Sequence, residues 1–440
     1  MIESLTRKLI KYPLWTLLFS LLFTAVCAVG IKNIVLDADY RAFFGPDNPQ
    51  LQAFENLQDQ YDKVDNALIA VVPRDGVVFS PSTLAVIESM TEDAWAIPHS
   101  RRVDSLTNFQ HTYSQEDDLI VEPLFEDAYS LSQQQINFKK DVALNDPVLA
   151  GNLIAFDGKA AGINLTINLP GINQAAEVPE VVYALRELIA KYKSKHENID
   201  FYLTGVTVLN NAFPEASMVD ITTLYPLMIL VILVLLFLSL KGFWGTFATF
   251  TLVISSSLIA IGMYGWPGVS VTAVTFCAPI MIMTLAIADC IHILMSYYQS
   301  MAKGLSKEDA ITESVRINFQ PVFLTSITTA IGFLSLNFSD SPPFHGLGNV
   351  VCIGVIAAFF LALFYLPSLM MLLPCGNAEH KHSKQPFMQS MSRFVIKYKL
   401  SLLIFMSTLI ISLLALGPYN KLNDNVMDYF DWGVKFRSDT

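Results

Sequence analysis

Two polar clusters inside apolar stretches carry the chemistry this chain could do. In Thr284-Leu-Ala-Ile-Ala-Asp-Cys-Ile-His-Ile-Leu-Met-Ser296, one carboxylate, Asp289, stands within a run long enough to cross a membrane. A charge at the centre of a span costs about 2.5–3.5 kcal/mol on insertion scales, so Asp289 needs a partner, a water-filled cavity or a proton. Residues three, four and seven apart share a helix face, which puts Asp289, His292 and Ser296 on one polar stripe. Ala286 and Ala288 are small enough to admit a neighbouring backbone. Burial favours the neutral carboxyl and a protonated His292 would favour the carboxylate, so a group held between the two can load and release a proton near neutral pH. One charge crossing about 100 mV is worth about 2.3 kcal/mol, so one or two protons can reset a conformational equilibrium. The alternative is an Asp–His pair that only locks helix packing.

The second cluster lies in the next span, Gln320-Pro-Val-Phe-Leu-Thr-Ser-Ile-Thr-Thr-Ala-Ile-Gly-Phe-Leu-Ser335. Thr325, Thr328, Thr329 and Gly332 share a face at offsets of three, four and seven. This span runs opposite to the Asp289 span, and the depths match. The three threonines are therefore candidates to bond the Asp289–His292 pair or to order water beside it. The alternative is that each hydroxyl bonds its own helix backbone. The expected coupling ion is a proton. Sodium stays open, because a carboxylate with Thr hydroxyls could ligate it. No cofactor or metal is expected, since His380 and His382 sit in a solvated loop.

The elements that position these residues are membrane spans. The chain has 440 residues, 53% hydrophobic and only 15% charged, against about one quarter charged in soluble domains. Apolar runs occur at 12–31, 221–240, 243–266, 271–298, 321–338, 346–373 and 400–416. The first follows a basic start, Arg7, Lys8 and Lys11, but is longer than a signal peptide's apolar region and has the length of a span. Lys241, then Lys303, Lys307 and Arg316, then Lys381, Lys384, Arg393, Lys397 and Lys399 fall on one side, while the loops at 265–270 and 337–345 hold no Lys or Arg. The positive-inside rule puts the N-terminus and the basic loops in the cytoplasm and the large polar segment outside it. Pro279 offers either a hinge or a tolerated bend. Ser306–Asn318 reads as a capped amphipathic helix on the cytoplasmic surface. Cys27, Cys277, Cys290, Cys352 and Cys375 lie in or beside spans and give neither a disulfide framework nor zinc spacing. No basic patch suggests nucleic acid.

Between the first two spans, strands are predicted at 66–72, 101–106, 152–156, 161–169 and 200–204, with helices at 81–95 and 177–195. That order suggests an α+β domain with split βαβ layers around an acidic, Gln-rich insert at 110–146. The domains are then a first transmembrane helix in 1–31, an extracytoplasmic domain at 32–218 and a five-helix block at 219–374. A cytoplasmic linker at 375–399, a seventh span at 400–418 and the start of a second external domain at 419–440 complete the division.

An internal repeat supports that last item. Ile10-Lys-Tyr-Pro-Leu-Trp opens the first span and Ile396-Lys-Tyr-Lys-Leu-Ser the seventh. Asp37-Ala-Asp-Tyr-Arg-Ala-Phe-Phe44 follows the first, and Asn423-Asp-Asn-Val-Met-Asp-Tyr-Phe430 follows the seventh at the same spacing. Either juxtamembrane segments match by chance, or a second unit begins near Ser390 and the complete form has twelve spans.

Pro321-Val-Phe-Leu-Thr-Ser-Ile-Thr-Thr-Ala-Ile-Gly-Phe-Leu-Ser-Leu336 resembles the fifth-span signature of the RND superfamily. Within it the chain is most similar to the MMPL-type branch of predicted lipid exporters, related to hopanoid transporters, Patched and Dispatched. The layout of one span, an external domain and five spans matches across the chain, as the first half of such a protein. The resemblance implies a polytopic α-helical membrane protein with a ferredoxin-like, porter-type external domain. It also implies a proton-driven transporter of a hydrophobic or lipid-like substrate in a bacterial inner membrane. The family's fourth-span motif, of Gly-x-x-x-Asp-Tyr type, places its relay Asp on Asp289. Here Leu285 stands at the Gly position and Cys290 at the Tyr position, and His292 is a candidate substitute partner. The family's second relay Asp, in the tenth span, falls beyond Thr440.

No phosphate loop of Gly-x-x-x-x-Gly-Lys-Ser/Thr form and no Gly-x-Ser-x-Gly elbow is present, which argues against an ATP-driven pump or a lipase. No enzymatic activity is expected. The expected partners are membrane lipids, a hydrophobic or lipid-like substrate, and the second half of the same protein or an oligomeric partner. The rival function is a lipid-sensing, sterol-sensing-like scaffold without net transport. An ion-driven accessory of protein export is a third reading.

Overall fold

The computed structural model describes residues 2–61, 65–240, 242–374, 386–421, 423 and 425–440. Lys241, Cys375, His380, Lys381, His382 and Lys384, and the 375–385 part of the expected linker, lie outside the described residues. An amphipathic helix, α1 (Ile2–Lys11), breaks at Tyr12, and Pro13 opens α2 (Pro13–Val29). Proline suits that first helical position because the N–H it lacks has no intrahelical partner there. A short strand, β1 (Val35–Leu36), leads away from α2, and α3 (Pro49–Tyr61) precedes the main sheet.

The sheet unit starts with β2 (Asp65–Pro73), α4 (Pro81–Ala94) and β3 (Ser100–Asp104). An insert follows, made of a hairpin, β4 (Gln110–Gln115) and β5 (Asp118–Pro123), and a helix, α5 (Gln133–Asn145). Then come β6 (Ala161–Ile167), α6 (Gln174–Lys193) and β7 (Ile199–Thr204). The strand order is β3-β6-β2-β7 and every neighbouring pair is antiparallel. Ala67, Ile69 and Val71 alternate with half-buried neighbours along β2, as a strand with one covered face must. The covered face shares a core with Leu84, Ile87 and Met90 of α4 and Val181 and Leu185 of α6. The expected strand at 152–156 is reduced to single bridges at Ile154, one of them to Ala161, because the turn at 157–160 leaves too little chain to extend the ladder. The insert is ordered by Ser132, whose capping box with Gln135 starts α5.

Glu177, in the first turn of α6, accepts the backbone N–H groups of Asn173 (2.9 Å), Gly171 (3.0 Å) and Ile172 (3.1 Å). The Asn173 bond leads in holding its carboxyl below the ordinary glutamate range. A depressed folded-state pKa stabilises the fold above the unfolded value of about 4.3 and is lost as pH falls through the folded value. The thermal midpoint of the wild type should therefore fall more steeply below about pH 4.3 than that of Glu177→Gln, whose side chain does not titrate. Parallel pH profiles in differential scanning fluorimetry would remove this role.

The next helix, α7 (Val206–Leu240), is continuous, so the apolar run expected from Ile221 is the far part of a longer helix. Its 35 residues make about 52 Å, well beyond the about 30 Å of hydrocarbon. Its first turns, with Thr207, Val208, Asn210, Asn211 and Ala212, are buried in the sheet unit, and its far end reaches α8 (Phe243–Gly265). Strand β8 (Ser270–Val271) pairs in parallel with β1. Helix α9 (Ala278–Ala302) carries Pro279 in its first turn, where it bends nothing, in place of either expected role. Helix α10 (Lys307–Leu334) runs unbroken through Pro321, so the expected capped amphipathic segment continues directly into the span. Ser306 caps it by accepting the Asp309 N–H at 3.2 Å. Helices α11 (Pro342–Leu372), α12 (Pro386–Lys397), α13 (Lys399–Leu416) and α14 (Lys435–Asp439) complete the chain.

Among the described residues, seven helical stretches are long and apolar enough to cross a membrane. α11 is the bundle's centre, with 72% of its apolar window buried, and 56% is buried for α8. α2 and α8 cross at Gly30, Gly262 and Gly265, where an added Cβ would collide with the facing backbone. The two stretches that repeat in sequence adopt the same turn. Asp39 accepts the Arg41 N–H (2.9 Å) ahead of a 3-10 turn at Tyr40–Phe43, and Asn425 accepts the Met427 N–H (3.2 Å) ahead of one at Val426–Tyr429. Both meet Phe213 of α7, whose ring lies 5.7 Å from Phe43 and 4.9 Å from Phe430.

Candidate functional site

Asp289 lies on the buried stripe of α9, with Ala286, Ile293, Tyr297 and Ser300, and is only 8% exposed. α10 meets it through Ser314, Asn318 and Ser326, which belong to a buried row spaced by four residues that also holds Val322 and Ala330. Such a row is a ridge on a helix surface, and its small members let the two helices close on each other. The Ser326 hydroxyl donates to Asp289 Oδ2 at 3.3 Å. Farther along the seam, the Ser314 hydroxyl donates to the Ile293 carbonyl. Asn318 Nδ2 donates to Ser296 Oγ at 2.7 Å and to the Ser314 carbonyl at 2.8 Å.

The predicted residues therefore divide. Asp289 and Ser296 both take part in the α9–α10 seam. Thr325 and Thr328 do not face Asp289. They are exposed, and their hydroxyls bond the carbonyls of Pro321 and Val322 and of Leu324 and Thr325 in their own helix. A hydroxyl satisfied by its own backbone carries little cost on an apolar face, so the Thr pattern was a poor guide to the inner face. Thr329 is half-buried, one turn from Ser326. His292 is exposed rather than paired along the stripe, since the hydrogen bond recorded at Asp289 goes to Ser326.

Sequence reasoning missed Ser326, Asn318 and Ser314. The signal was present, since polar or small residues at 314, 318, 326 and 330 keep a four-residue spacing. Chemically, the seam holds one protonatable carboxyl, one hydroxyl donor against it, and an amide–hydroxyl relay two turns away. Val322, 1% exposed, separates the two polar groups. Eight residues of helix between Ser326 and Asn318 span about 12 Å, so a proton crossing that gap needs water or a rearrangement.

A protein-family model described as the MMPL family matches residues 42–396, well over half of the chain. A protein of Methanocaldococcus jannaschii, described as a membrane protein, is 30% identical over 92 residues. That stretch is 21% of this chain and 24% of the relative, so about a quarter of the relative's length is matched.

Proposed function

Because the chain belongs to the MMPL family of the RND superfamily, we propose that it is a secondary transporter that couples proton movement at Asp289 to transfer of a hydrophobic or lipid-like substrate. The observation that carries the reading is a carboxylate, 8% exposed, at a helix–helix seam inside a membrane span, with a single side-chain hydrogen bond recorded to it among the described residues. Intramembrane carboxylates on an inner face mark ion paths and proton relays.

In this reading the antiparallel βαββαβ unit is a ferredoxin-like porter domain on the external side of a bacterial inner membrane. α7 joins it rigidly to the bundle, so a shift of the spans moves the domain without a flexible joint. The exposed His292, Gln299, Thr325 and Thr328 would then be covered by a second bundle, from the rest of a duplicated protein or from a partner. The 0% burial of the seventh span's apolar window fits the same need.

Proton coupling is favoured over sodium because a hard cation takes a shell of about six oxygens, and Ser326 is the one side-chain hydroxyl recorded against Asp289 among the described residues. In proteoliposomes with an imposed pH gradient, flux should be unchanged when sodium is replaced by choline at fixed pH. Flux that rises and falls with sodium would assign the site to that ion. Absence of both proton and lipid movement, with the second bundle present, would favour the lipid-sensing scaffold.

A further inference from the structure

A second site lies at the elbow between α1 and α2, away from Asp289. An open apolar groove of about 630 Å³ runs there, with Leu5 and Leu9 of α1, Trp15 and Phe19 of α2, and Phe360 and Phe364 of α11 in its walls. Its volume falls in the range of about 300–1,000 Å³ usual for small-molecule sites. The groove is open at the side, and Trp15 is 72% exposed at its rim, the position aromatic residues take at a membrane interface.

The two flanks of α1 differ in charge. On one, Arg7 pairs with Asp309 (3.0 Å) and Glu308 (3.7 Å), and Glu3 pairs with Arg316 (3.4 Å), tying the helix to α10. Thr6 and Ile10 are buried beside that flank. Successive residues turn by about 100°, which puts Lys8 on the outward face of α1, about 60° from Leu5 at the groove and about 100° from Arg7. Lys8 is exposed and makes no ion pair among the described residues. A basic amphipathic helix with one flank neutralised by protein, and a cation left on its outward face beside an apolar slot, suits a lipid with a negative headgroup.

We infer that this groove holds one acyl chain of an anionic phospholipid, with its phosphate against Lys8. The lipid would brace the α1–α2 elbow, and the assignment rests neither on transport nor on which side of the membrane α1 occupies. The test uses the full chain in vesicles doped with acyl-brominated phosphatidylglycerol or phosphatidylcholine. Quenching at Trp15 is read as the difference between the chain and its Trp15→Phe variant. Brominated phosphatidylglycerol should quench at about fivefold lower mole fraction, the factor that about 1 kcal/mol for one basic residue gives. Lys8→Glu should remove that preference and Lys8→Arg should keep it. Equal quenching by both lipids would mean ordinary bulk lipid, and no quenching by either would mean that protein covers the groove. A preference that survives Lys8→Glu would take the headgroup away from Lys8. Any of these three results overturns the assignment.

Discussion

Proton-driven flux through Asp289→Asn should fall to the level of protein-free vesicles, while the variant inserts and unfolds like the wild type. Asn keeps the shape of the side chain and can still accept from Ser326, but it cannot take or give a proton. The expected loss is complete because no other carboxylate is buried within a membrane span among the described residues. Ser326→Ala should act in the same direction and less strongly. It removes the recorded hydrogen bond to the carboxylate, and such bonds to charged groups are worth about 1.5–3 kcal/mol. Thr325→Ala and Thr328→Ala should leave flux unchanged, since both hydroxyls are occupied by their own helix. The measurement is a pH-sensitive dye inside proteoliposomes, on the full-length protein. Retained flux in Asp289→Asn would remove the carboxylate from the mechanism. A loss in Thr325→Ala equal to that in Ser326→Ala would mean that the helix turns its Thr face inward during the cycle.

Arg41→Met is expected to destabilise the junction between the first span and the sheet unit by about 2–3 kcal/mol, between the cost of losing an exposed ion pair and that of breaking a fully buried one. Arg41 Nη1 lies 3.1 Å from Asp39 Oδ2 and Nη2 contacts Asp65, and all three side chains are 12–14% exposed. The same turn is fixed to α7 through the Tyr40 N–H, which donates to Asn210 Oδ1 at 3.1 Å. Removing the guanidinium takes the cation from two carboxylates in a site with little water to replace it. Arg41→Lys should fall between, because an ammonium keeps the charge but cannot bridge both acids with a planar fork. The exposed pair Arg74–Asp200, at 3.0 Å, is the internal control, where Arg74→Met should cost less than about 1 kcal/mol. Thermal unfolding in detergent, followed by a thiol-reactive dye on the buried Cys27, Cys290 and Cys352, reads all three. Equal midpoints for Arg41→Met and Arg74→Met would show that the Arg41 cluster does not hold the junction.

The sequence by itself determined the seven spans, the sheet unit between the first two, and Asp289 as the residue to explain. Those are one-dimensional properties. An apolar run of about 20 residues has one comfortable place, a period-two alternation has one buried face, and a lone carboxylate in such a run is conspicuous without any neighbour. The repeat at Asp37–Phe44 and Asn423–Phe430 was legible for the same reason, because the Asx cap and the short turn are local. Helix ends were less so. α7 and α10 run past the apolar limits because the first turns of α7, from Val206 to Ala216, pack on the sheet unit and Lys307–Asn318 on α1 and α9, contacts that composition does not record.

What only the tertiary structure decided is which side of a helix faces in. On α10 the sequence offers the pair Thr325/Thr328 and the four-residue row Ser314/Asn318/Ser326, and Ser326 is turned about 100° from Thr325. Threonine looks polar enough to demand a buried partner. Its hydroxyl nonetheless reaches a carbonyl three or four residues back, and that bond satisfies it on an apolar surface as well as in a core. Asn318 and Ser326 meet groups of α9 instead. His292 was misplaced by the same logic, since a shared helix face is about 100° wide and its edge can turn outward. The sequence fixes which residues could form the site, and packing against the neighbouring helix selects Ser326 for Asp289 and leaves Thr325 outside.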